Sequence, residues 1–304
     1  MARDTAGVMP LPLRAVRLSR RRAVRLPRRR ALLLAALFVP FAAPARAQAS
    51  FDHGHAAWTR LLAQHVQPNA AGNASRVDYK GFAAARSALQ AYLQSLSAVP
   101  RPQYDGWSKP QQFAFLANAY NAFTVEKILT RYPDLRSIRD FGRVFGNPWK
   151  DPFFTLLGDK HHLDWIEHET LRAPGVFDEP RVHVAANCAS IGCPMLGRSA
   201  FTAEALDGQL EALMRAFLSD RSRNRYDAAS KTLLLSPIFD WYKVDFERGG
   251  KSFLGYPNGG GAAAVAARYA EQLADASADR AALRDGGFGV KFLEYDWSLN
   301  DVGR

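Results

Sequence analysis

Apolar positions recur at helical spacing over residues 51–67, where Phe51, Trp58, Leu61 and Leu62 share a face, and again over residues 79–96 through Phe82, Leu89, Leu93 and Leu96. Both stretches predict amphipathic helices. Ser108, followed by Pro110 and Gln111, has the order of an N-cap with proline in the first turn, so a long helix is expected over residues 109–132, closed by Pro133. Residues 153–163, centred on Gly158-Asp159, read as a short hairpin. Asp164 then suits the N-cap of a short helix carrying Ile166, Glu167, His168, Leu171 and Arg172. Residues 181–186 alternate like a strand and run into a small-residue turn closed by Pro194, which would carry thiols from a sheet onto a loop. A helix is expected over residues 201–218, strands over 231–236 and 290–295, and a glycine-rich surface loop over 249–261 that enters an alanine-rich helix. Together these predict an α+β fold: a single globular domain, mostly helical, with a small β-sheet.

The net charge of +11 suggests a polyanion binder until its placement is considered. Residues 1–49 hold eleven arginines against the single acid Asp4, which accounts for ten of those charges. The rest is close to neutral, so no nucleic-acid partner is expected. The leader runs from an arginine-dense stretch through an apolar run, residues 31–43, to small residues around Arg46, which is the order of a secretory signal. That run falls short of the ~20 residues that span a bilayer, so cleavage is expected rather than anchoring. The expectation is therefore a signal peptide over residues 1–49 and one domain over 50–304, periplasmic or secreted, with no membrane span after cleavage.

Four blocks carry a family resemblance: Asn118 to Ala122; Ile166-Glu167-His168 with Leu171-Arg172; Arg181-Val182-His183 leading to Asn187-Cys188-Ala189-Ser190 and Cys193-Pro194; and Ile238 to Tyr242 with Asp245-Phe246. They resemble the signature blocks of domain of unknown function family 547, and the closing stretch from Phe292 to Asn300 is similar to its exported bacterial members. The resemblance implies no settled activity. It implies a distant likeness of fold to papain-like and transglutaminase-like thiol enzymes, and fold does not fix chemistry. It also favours Cys188 over Cys193 as the thiol of interest.

A cysteine becomes a nucleophile when a histidine or a helix N-terminus lowers its pKa, with an acid or amide orienting that histidine. Two assignments fit: Cys188 with His168 as base, or Cys188 with His183 as base and Glu167 as orienter. On an α-helix, successive residues point about 100° apart, so only one of Glu167 and His168 is expected to face inward. That buried acid can equally be a structural charge paired with Arg172 or Arg181. Asn118 and Asn121, three apart with Tyr120 between them, are candidates to hold a substrate or oxyanion, and Trp241 to line a groove. The expected ligand is small or peptide-like, and no P-loop, dinucleotide fingerprint or zinc-protease motif occurs. His183, Cys188, Cys193 and His168 would make a tetrahedral zinc set, yet their spacing matches no standard template, and no metal or cofactor is expected. The competing reading is a non-catalytic binding module whose Cys188 and Cys193 close a structural disulfide, as an oxidising compartment favours.

Overall fold

The computed structural model describes residues 50–142 and 146–303, and the expected signal peptide lies outside them. The described residues form one compact unit. Among the described residues no helix is long and apolar enough to cross a membrane.

The first helix, α1 (Ala56–His65), runs into a two-stranded antiparallel ribbon, β1 (Val66–Pro68) with β2 (Ser75–Val77), in which Val66 faces Val77. Two helices follow, α2 (Tyr79–Ala84) and α3 (Arg86–Ser97), where the pattern predicted one. Asp78 caps α2 by accepting from Gly81 N at 2.8 Å, and the chain leaves helical geometry at Ala85. After the short α4 (Arg101–Asp105), α5 (Lys109–Leu129) begins at a complete capping box between Ser108 and Gln111. Sixteen of its 21 residues are buried, so it is a core helix covered on every side rather than an amphipathic one.

The hairpin β3 (Phe154–Leu156) and β4 (Asp159–His161) forms as expected. The next element, Trp165–Leu171, is a π-helix in which Arg172 N reaches Glu167 O at 3.0 Å. Residues 181–186, expected as a strand, instead form a single helical turn, α6 (Val182–Ala185). Val182 and Ala185 enter the larger core and Val184 enters a second one. Because the polar Arg181 and His183 are buried along with Val182 and Val184, the turn has no exposed face to reveal its period, and the alternation of polar and apolar residues imitates a strand.

The second half packs α7 (Leu206–Ser219) beside a three-stranded sheet of β5 (Arg225–Asp227), β6 (Thr232–Leu235) and β7 (Gly289–Phe292). β5 is antiparallel to β6, and β7 returns parallel to it with Leu233 opposite Val290. Between these strands lie α8 (Ile238–Trp241), α9 (Lys243–Glu247), α10 (Gly261–Arg268), α11 (Ala270–Leu273) and α12 (Ser277–Asp285). The architecture is α+β with small sheets. The larger core gathers on α5, and the second is built from Met214, Phe217, Leu233, Phe239 and Tyr269.

Candidate active site

The cysteines sit in the loop after α6, where three constraints fix the backbone. Asn187 N donates to Asn121 Oδ1 at 2.8 Å, and Asn187 Nδ2 donates to Pro194 O at 2.8 Å. Ala189 adopts φ 64°, a left-handed conformation that a residue with a Cβ reaches only against steric cost. The C-terminal strap closes the loop, with Ile191 N and Gly192 N donating to Ser298 O and Asp296 O, each at 2.8 Å. A Cβ on Gly192 would stand 2.9 Å from the Tyr295 ring, so the strap requires glycine there.

Cys188 and Cys193 are joined in a disulfide. The Cys188 sulfur is flanked by Ser190 Oγ at 3.1 Å and the Tyr295 hydroxyl at 3.2 Å. This is the bond of the competing reading, and while it is intact Cys188 is no nucleophile.

Cys188 lines a cavity of about 160 Å³ together with Asp164, Glu167, His168, His183 and Tyr295. His183 Nε2 and Asp245 Oδ2 are 2.8 Å apart, and the ring stacks on Tyr242 with centroids 4.0 Å apart. Asp245 also accepts from Arg172 Nε at 2.6 Å and Arg248 Nη2 at 3.0 Å. Burial works against its ionisation, but the hydrogen bonds from His183 and Arg172 outweigh that and hold the carboxyl below its usual range. Facing an ionised carboxylate, Nε2 of His183 carries the proton. Its Nδ1 then keeps the lone pair, the state a general base needs. Burial keeps the imidazole neutral, lowering its pKa against the opposing pull of Asp245.

The orienter expected for His183 was Glu167, and the structure replaces it with Asp245. Asp245 lies 62 residues from its partner, too far for spacing to pair them, although it falls within a block of the family resemblance. Glu167 hydrogen-bonds the buried Tyr120 instead, and neither Arg172 nor Arg181 pairs with it. Arg181 is held by Glu179 and Asp207.

His168 lies in the same cavity with its Nδ1 hydrogen-bonded to Arg172. A guanidinium only donates, so the Nδ1 lone pair is engaged and Nε2 holds the proton. Burial, and then the Arg172 charge, lower its pKa. His168 has no free lone pair for a thiol proton, which leaves His183 as the base-competent ring.

The expectation that only one of Glu167 and His168 faces inward is also corrected, since both line the cavity with Asp164. A π-turn spaces side chains differently from an α-turn, and such turns recur at functional sites. Asp164 stands at the N-cap position without a side-chain capping bond, and it lines the cavity.

Asn118 and Asn121 do not line this cavity. Asn118 donates to Phe201 O at 2.8 Å and accepts from Phe201 N at 3.0 Å. Asn121 donates to Ala185 O at 2.9 Å while accepting from Asn187 N. Both amides are clamps from α5, Asn118 to the loop at Phe201 and Asn121 to the end of α6 and the residue that opens the cysteine loop. Tyr120 and Trp241 do line the cavity. Trp149, Tyr242, Tyr295 and Trp297 complete its aromatic wall, the last two brought by the irregular C-terminal strap, which no periodic signal in the sequence reveals. Among the described residues no group of three or more His, Cys, Asp or Glu side chains is placed to hold a metal.

Residues 104–218 match the family model described as Protein of unknown function, DUF547. The chain carries a DUF547 domain. The matched stretch supplies α5, the π-helix, α6 and the cysteine loop, whereas Asp245, Trp241, Tyr242, Tyr295 and Trp297 lie C-terminal to it. Ile238, Trp241, Tyr242, Tyr295 and Trp297, five of the sixteen residues lining the cavity, therefore come from outside the matched DUF547 segment. No curated protein and no solved structure matched the chain.

Proposed function

We propose that this DUF547 protein is an exported, thiol-dependent hydrolase or transferase for amide or peptide-like bonds, resting as the Cys188–Cys193 disulfide and active after reduction. The reading is carried by one observation: a base-competent His183, oriented by Asp245, lines the cavity that Cys188 also lines. A dithiol reductant supplies two electrons and two protons, leaving two thiols and an oxidised partner. His183 Nδ1 then takes the Cys188 proton, and the thiolate attacks the acyl carbon. The amine leaves with the proton that His183 returns, and water or a second amine releases the acyl group. Ser190 and Tyr295 are placed to donate hydrogen bonds to the thiolate.

Iodoacetamide labelling after reduction, read by mass spectrometry between pH 5 and pH 8 (a range set by ordinary histidine and thiol pKa values of about 6.5 and 8.5), tests this reading. Cys188 should react in preference to Cys193 near neutral pH, and His183→Gln or Asp245→Asn should slow it about tenfold. Equal labelling of the two cysteines, or labelling indifferent to His183, overturns it.

The disulfide itself favours a second reading, a non-catalytic envelope binding module in which Cys188–Cys193 staples the loop. On that reading Cys188→Ser keeps ligand binding, and the reduced protein forms no covalent acyl adduct with p-nitrophenyl acetate.

A further inference from the structure

The cavity beside Cys188 carries negative charge that the protein leaves unmatched. Asp164 and Glu167 are each only 7% exposed, and both line it. The Asp164 carboxylate makes no hydrogen bond among the described residues, with His168 Nε2 standing off at 3.7 Å. Glu167 has the Tyr120 hydroxyl, and His168 Nδ1 at 4.0 Å. Neither acid meets a lysine or arginine. The nearby guanidiniums are matched elsewhere, Arg172 to Asp245 at 2.6 Å and Arg248 to Asp178 at 2.7 Å. Lys150 is exposed and acts on Asp164 only at longer range. His168 is neutral for the reasons given above. Burial, with the neighbouring Glu167 carboxylate, raises the Asp164 pKa against the opposing pulls of His168, Lys150 and His162, none of which hydrogen-bonds to it.

The mouth of the cavity is aromatic. Trp241, 46% exposed, stacks with Trp297 at 5.7 Å and meets Tyr295 at 5.0 Å, and Trp149 meets Trp297 at 5.9 Å. This rim already holds one cation, since the Arg139 guanidinium lies 5.1 Å from the Trp297 ring centre. Aromatic faces leading to unmatched carboxylates bind ammonium groups through charge and cation–π attraction together.

We propose that this cavity is a binding site for the ammonium group of a primary amine, which passes Trp241 and Trp297 to reach Asp164 and Glu167. The aliphatic stem lies against the rings and the head meets the acids. The site needs no reactive sulfur, so it stands or falls separately from the thiol chemistry. A free alkylamine and a lysine side chain share the required group.

The test is a tryptophan-fluorescence titration of the full, disulfide-intact chain with n-butylamine hydrochloride, Nα-acetyl-lysine methylamide and the neutral isostere n-butanol. Either amine, or both, should give a saturable response that n-butanol does not give; which one responds identifies the source as a small amine or a peptide side chain. Asp164→Asn should weaken binding about tenfold or more, a loss of ~1.4 kcal/mol. Trp241→Ala, altering an exposed rim residue, should weaken it as well, and with Glu167→Gln it carries the test if Asp164→Asn does not fold. Equal binding of n-butanol and n-butylamine overturns the proposal. So does unchanged binding in all the folded variants, or no saturable response at about 100 mM amine, where a contact of only ~1.4 kcal/mol would register.

Discussion

Asp245 shows how much one side chain can organise. It accepts from Arg172, His183 and Arg248 while only 6% exposed, so removing its charge weakens three hydrogen bonds at once, and of the three donors only Arg172 and Arg248 have other partners, His168 and Asp178. Asp245→Asn should cost about 3 kcal/mol in urea unfolding, as for a buried ion pair that loses one partner. His55 makes a second residue-scale prediction. It is buried, its Nδ1 lies 2.7 Å from the Tyr92 hydroxyl, and its Nε2 has no partner. Burial, against the opposing Asp52, pushes its pKa down to about 4 from the ordinary 6.5. As pH falls below 6.5 the unfolded chain takes up a proton that the folded chain refuses until about pH 4. The stability linked to this group is therefore complete above pH 6.5 and drains away on acidification, by ~3 kcal/mol in all. His183, also lowered, acts in the same direction. Urea midpoints measured at about pH 7, 5.5 and 4, a range that spans the ordinary value of 6.5 and the folded-state His55 value of about 4, should show this slope, and His55→Asn, which keeps a residue tolerant of the φ of 47°, should flatten it.

At the scale of elements, α5 matters through what it clamps more than through its own propensity. Its N-terminus is a local device, and Ser108→Ala should cost only about 1 kcal/mol. Asn121 in mid-helix fixes Ala185 O and Asn187 N, the two backbone groups that set the entrance to the cysteine loop. Asn121→Ala leaves both buried and unpaired, an expected loss of about 3 kcal/mol. The more telling readout is a change in Cys188 labelling after reduction that Ser108→Ala does not share. The cap, the hairpin and the long helix were legible because their signals are short-range: a serine before a proline, glycine-aspartate between apolar runs, a continuous helical pattern. The π-turn and α6 were not, because each is set by partners from other elements. α6 reads as a strand until the two cores on either side of it are known.

Across the molecule the two cores share Leu213 and meet at α6, so unfolding should be one transition, with near- and far-ultraviolet dichroism and tryptophan fluorescence coincident in urea. The disulfide closes a loop of sequence separation 5, too short to restrain much of the unfolded chain. Its reduction should lower stability by about 2 kcal/mol and leave that single transition intact. A loss of cooperativity on reduction would mean that the bond, rather than the Asn121 and Asn187 amides and the C-terminal strap, holds the site together.

By itself the sequence determined the helical majority, the hairpin, the glycine-rich approach to the alanine helix and the family, because periodicity, capping and block order are properties of neighbouring residues. It also singled out Cys188, Glu167, His168, His183, Tyr120 and Trp241, which all line one cavity. Only the tertiary structure decided the relations among them: that Asp245 rather than Glu167 orients His183, that Arg172 occupies His168, that Cys193 is bonded to Cys188, and that Asn118 and Asn121 hold backbone. Each is a contact between residues that the chain brings together only by folding, and a hydrogen bond or ion pair of that kind leaves no period or spacing in the sequence.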